Sequence, residues 1–96
     1  MTMNTNHIYQ GLISKGYNEK QASGLTKQLS ELSNCLSDCL SIWLTTGETP
    51  DYEIRGFSIN DLMTKYNLKY PAALLSIDWV IKEPAVAIPV ILKGIR

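Results

Sequence analysis

The chain has 96 residues, 45% hydrophobic and 19% charged, with nine Lys and Arg balancing nine Asp and Glu. That length implies a single domain, 1–96, with a real but thin core, and the composition is too apolar for a disordered segment. A net charge of zero supplies no global field toward DNA, RNA or anionic lipid.

The first seven residues, Met1 to His7, are polar and uncharged. They lack the basic head and apolar run of a secretory signal, so a soluble cytoplasmic protein is the expectation. Residues 5–15 predict a short helix with Ile8 and Leu12 facing inward, and Gly16 as its stop. Lys15-Gly16-Tyr17, followed by Glu19 and Ala22, resembles the first turn of a ubiquitin-associated domain. The length expected for the next helix does not suit that family.

Asn18 predicts an N-cap with Glu19 in the first helical turn, where a carboxylate favours the dipole. Seven apolar positions then recur in steps of three and four: Ala22, Leu25, Leu29, Leu32, Leu36, Cys39 and Trp43. This is the a/d pattern of a helix burying one narrow seam. It predicts a long second helix over about 19–46, closed by Gly47, with Ser33–Asn34 as the place for a break. Unbroken, it spans about 42 Å, longer than a compact domain of this size with a radius of gyration of about 13 Å. Cys35, Leu40, Ile42 and Leu44 widen the seam toward its C-terminal half, which reads as internal core. The narrow first half makes Leu25, Leu29 and Leu32 interface candidates.

Residues 47–56 predict a loop with a brief strand at 52–55, where Tyr52 and Ile54 alternate with Glu53 and Arg55. The charge is uneven here. Glu48, Asp51, Glu53 and Arg55 give 48–56 a net of two negatives, while five basic and three acidic groups give 57–96 a net of two positives. Ser58 caps the next helix, with Asp61 three residues on and Phe57 and Leu62 at the staple positions. That helix ends near Asn67. Pro71 opens another, which runs to Glu83. Ala73, Leu74, Ile77, Val80 and Ile81 form one apolar face, and Ala72, Leu75 and Trp79 a second, with Asp78 and Lys82 between them. A helix apolar on two sides needs two partners, so Leu75 and Trp79 join the interface candidates. The tail, 84–96, reads as a kinked helix from Pro84 or as an edge strand over 86–92, with Pro89 compatible with either. Its nearly uncharged run, Pro84 to Leu92, is too short to span a bilayer.

Chemistry-bearing residues are sparse. Cys35 and Cys39 lie one turn apart but find no second pair of metal ligands, and His7 is the single histidine. Side chains spaced this way on a helix also diverge too much for a disulfide. Asp61 is assigned to its cap and Asp78 to Lys82, and Gly47, Gly56 and Gly94 stand alone rather than in a phosphate loop. No catalytic, cofactor-binding or metal site and no small-molecule substrate is indicated. The element order from the long helix to the tail resembles a winged helix, a helix-turn-helix variant, over Ser58 to Lys82. That resemblance implies DNA binding by residues 58–83. The would-be recognition helix, however, presents Ala72, Leu75, Ser76 and Trp79 rather than base-reading side chains. Only Lys65, Lys69 and Lys82 are placed to reach phosphates.

The expectation is an all-α fold of four or five helices around one core. Its expected role is a non-enzymatic protein-interaction module that forms a homodimer through helix faces, with no cofactor and no membrane partner. A small DNA-binding regulator is the alternative.

Overall fold

The computed structural model describes residues 5–93. They are mostly helical, with six helices and one two-stranded sheet. The chain divides into two compact units, Met1–Pro50 and Asp51–Arg96.

The first unit holds α1 (Thr5–Ser14), α2 (Glu19–Leu29) and α3 (Asn34–Thr46). Gly16 ends α1 in the left-handed region, at φ +101°. The Tyr17 N–H donates to the Leu12 carbonyl and the Gly16 N–H to that of Ile13, both at 3.1 Å. These two bonds are the Schellman pattern that occupies the last carbonyls of a helix. Asn18 then caps α2 as expected. Its side chain accepts from the Gln21 N–H at 2.8 Å, and Gln21 Oε1 accepts from the Asn18 N–H at 3.3 Å. The cap is therefore a reciprocal box completed by Gln21, in addition to the carboxylate expected at Glu19.

The expected long helix over 19–46 is two helices. The break falls at the Ser33–Asn34 neighbourhood. Ser30 Oγ donates to the Lys27 carbonyl at 2.8 Å, and the Glu31 and Leu32 N–H groups reach back only three residues, to Gln28 and Leu29. The helix tightens, stops, and restarts with the Ser33 carbonyl accepting from Leu36 and Ser37. Short polar side chains compete with the helical ladder here. Three-and-four spacing names the side chains that turn inward. It does not require a straight axis, and Leu29, Leu32 and Leu36 stay buried around the turn.

Six of the seven seam residues are buried, and Leu25 is half-buried. Ile8 and Leu12 of α1 and Leu40 of α3 are also buried. Each fully buried leucine or isoleucine contributes about 1.5–3 kcal/mol through removal from water. α1 packs against both α2 and α3. Gly11 permits the close approach to α3, because a Cβ there would lie 2.6 Å from Leu44 Cδ2. Gly47 closes α3 at φ +82°. The Lys15 ammonium sits 5.0 Å from the centre of the Trp43 ring, a cation–π contact tying the end of α1 to α3.

The second unit opens with an antiparallel hairpin, β1 (Glu53–Ile54) and β2 (Phe57–Ser58), pairing Glu53 with Ser58 and Ile54 with Phe57. The expected strand at 52–55 is therefore two residues long and has a partner. Three helices complete the unit: α4 (Ile59–Lys65), α5 (Tyr70–Lys82) and α6 (Pro84–Lys93). Asp51 Oδ1 accepts from the Tyr52 and Asn60 N–H groups, each at 2.9 Å, and so ties the start of the hairpin to the first turn of α4. Ser58 caps α4 by accepting the Asp61 N–H at 3.0 Å. α5 packs on α4 and on α6, with Leu62, Leu74, Ile77, Val80 and Ile91 buried.

Over its described residues, Pro84–Lys93, the tail is helical, not an edge strand, and residues 94–96 lie outside the described residues. Ala87 and Ile91, four residues apart, are buried, whereas Val86, Pro89 and Val90 are exposed. Burial of this kind follows a helix period rather than alternation. Pro89 is tolerated because it and Ala85 are both exposed, so the carbonyl it leaves unpaired is on the solvent side. With the tail helical and the long helix divided, the described residues form six helices rather than four or five.

Candidate functional site

The interface candidates named from sequence differ in accessibility. Leu29 and Leu32, at 1% and 6% exposure, are already covered within the chain. Leu25 is half-buried. A rod that outruns its domain was the reason to expect a second chain along this seam. The turn at 30–33 removes that rod. Leu75 and Trp79 are half-buried on α5, and the Trp79 ring N–H donates to Glu83 Oε1 at 3.2 Å. On the same helix, Lys82 Nζ lies 2.8 Å from Asp78 Oδ2, the pairing expected from their spacing.

The exposed apolar side chains lie elsewhere, most of them on α6. Among the described residues, Val86, Val90 and Leu92 of α6 are 50%, 43% and 67% exposed, and Ile42 of α3 is 41% exposed. Val86 and Val90 stand one turn apart, so they form an exposed stripe on α6, about 100° round the helix from the buried Ala87 and Ile91. Sequence reasoning misses this surface while 84–96 stays open between helix and strand. Once the segment is placed on a helical wheel, the four-residue spacing of Val86 and Val90 shows the stripe.

The remaining chemistry-bearing residues stay apart. Cys39 is buried and Cys35 half-buried, and neither is in a disulfide. Among the described residues, no group of three or more His, Cys, Asp or Glu is placed to hold a metal ion. No helix among them is long and apolar enough to cross a membrane.

α4 and α5 do form a helix–turn–helix pair, with Asn67 left-handed at φ +57° in the turn. The segment Val86–Leu92 is helix, however, so the strand that the winged-helix likeness needed there is missing. Ala72, Leu75, Ser76 and Trp79 are each half-buried on α5. In the first unit, α2 has 11 residues and is followed by a third helix.

No family model matches the sequence, and no curated protein or solved structure matches it either.

Proposed function

We propose that this protein is a cytoplasmic, non-enzymatic interaction module that works without a cofactor and self-associates as a dimer through the outer face of α6. The observation that carries this reading is the exposed pair Val86 and Val90, one turn apart on α6. Large apolar side chains gathered on one exposed helix face are the ordinary mark of a protein contact. Two copies of one helix meeting across a two-fold axis are self-complementary, which is the commonest route to a dimer. Leu75 and Trp79, half-buried on the neighbouring helix, supply the rim.

Sedimentation equilibrium tests this reading. A dimer at micromolar concentration that becomes a monomer in the double variant Val86→Lys/Val90→Lys supports it. A wild-type chain that stays monomeric up to about 100 μM, an affinity too weak for a stable assembly, disposes of it. Salt-sensitive binding to random duplex DNA would instead favour the nucleic-acid role of residues 58–83.

A further inference from the structure

Beside α6 lies a second feature that self-association leaves unused. A cleft of about 360 Å³ is walled by the hairpin turn, by α4 and by α6. That volume is at the lower end of small-ligand sites. Its lining is mixed. Phe57, Tyr66, Ile88 and Leu92 supply aromatic and aliphatic surface, and Arg55, Lys65 and Asp61 supply charge. Among the described residues no ion pair joins Arg55, Lys65 and Asp61 to one another, so the three charges of the cleft are not mutually neutralised. Asp61 donates its own N–H to Ser58, but its carboxylate returns no bond to the cap.

The hairpin turn provides an independent observation. Arg55 and Gly56 are its two central residues, between the paired Ile54 and Phe57. Both are left-handed, at φ +51° and +85°. A two-residue turn of this hand favours Asn-Gly or Gly-Gly, because only short or absent side chains adopt it without strain. This chain accepts the strain and places a guanidinium at the edge of the cleft. Strain kept at one residue points to a use for its side chain.

We propose that the cleft binds a carboxylate that carries a neighbouring N–H group and an apolar side chain. Arg55 and Lys65 hold the carboxylate, Asp61 accepts the N–H, and Phe57, Tyr66, Ile88 and Leu92 cover the apolar part. The excess of a single positive charge suits a monoanion, and Asp61 disfavours a phosphate dianion. This chemistry is shared by a free N-acylated hydrophobic amino acid and by the last residue of a polypeptide. Neither Val86 nor Val90 lines the cleft, so binding here is separable from dimer formation.

The test is an NMR titration of the full chain with N-acetylphenylalanine and with its amide. Saturable shifts at Gly56, Lys65 and Ile88 with the acid alone are the expected result. Affinity falls about tenfold in Arg55→Gly and in Lys65→Gln, the loss of one charge-assisted contact, and recovers in part in Arg55→Lys. Arg55→Gly relieves the turn, so it lowers binding while thermal stability holds or rises, an outcome that a purely structural role for Arg55 does not give. The same titration on Val86→Lys/Val90→Lys gives unchanged shifts whether or not the chain dimerises. A peptide ending in Phe that binds more tightly than the single residue identifies a polypeptide terminus as the source, and equal binding identifies the free compound. The proposal is overturned by no shift at about 10 mM acid, by equal binding of acid and amide, or by Arg55→Gly binding like wild type.

Discussion

The two units solve the same packing problem to different degrees of completion. In the first, the apolar residues of three helices turn inward, and Ile42 is the one large apolar side chain among its described residues left exposed. In the second, α5 is buried along one face and half-buried along the other, yet α6 keeps Val86, Val90 and Leu92 in the open. The difference lies in composition per helix. α2 carries Glu19, Lys20 and Lys27 on its outer side, so its apolar stripe is narrow and one neighbour satisfies it. α6 carries a single charge, Lys93, and apolar residues all round, so packing on α5 leaves half its surface uncovered. A closed unit is read for stability, and an open one for contact.

Truncating a core leucine is the most severe way to probe that contrast. Leu36→Ala in the first unit is expected to cost about 3 kcal/mol through lost transfer energy and a cavity, whereas Leu92→Ala in the second stays within about 0.5 kcal/mol. Urea unfolding measures both, and equal costs would erase the distinction. Ser58→Ala comes next, at about 1 kcal/mol, because it removes the acceptor for the Asp61 N–H at the start of α4. Fluorescence of Trp79, the tryptophan of the second unit, follows that loss in a Trp43→Phe background. Lys15→Ala is smaller, about 0.5–1 kcal/mol, through the cation–π contact with Trp43. It is read by Trp43 emission in a Trp79→Phe background, and unchanged stability and emission would show the contact to be idle.

The smallest effect is a pH dependence. Burial pushes the Tyr17 phenol above its ordinary value of 10.0. The folded chain therefore favours the protonated phenol. Its contribution to stability is complete below pH 10 and is lost as pH rises through the folded value. Thermal unfolding between pH 8 and pH 11 is expected to show a decline above about 10 that Tyr17→Phe removes in part. A profile identical in the variant would show that the phenol plays no part.

Much of the fold is legible residue by residue. Gly16, Asn18, Gly47 and Ser58 mark helix ends through backbone chemistry that acts over three or four positions, and the structure uses each of them. The seam from Ala22 to Trp43 is legible as an inside list for the same reason. The candidate site is less so. Its stripe needs a decision between helix and strand over 86–92, and Val86, Ile88, Val90 and Leu92 satisfy alternation while Ala87 and Ile91 satisfy a helix. The hairpin is signalled by Arg55-Gly56 between apolar residues, but a left-handed arginine goes against the usual preference and hides it.

Local sequence thus determined helix caps, turn positions and which side chains avoid water, since these depend on neighbours within one turn. Tertiary structure decided the rest. It bent the spine at 30–33 because buried leucines on two short helices satisfy the same spacing as on one long helix. It made the tail helical because Ala87 and Ile91 fit the interior together. It also brought the Arg55 turn, Lys65 and Leu92, spread over 38 positions of the chain from 55 to 92, to one cleft. Burial and convergence of this kind depend on partners distant in the chain, and no spacing rule carries them.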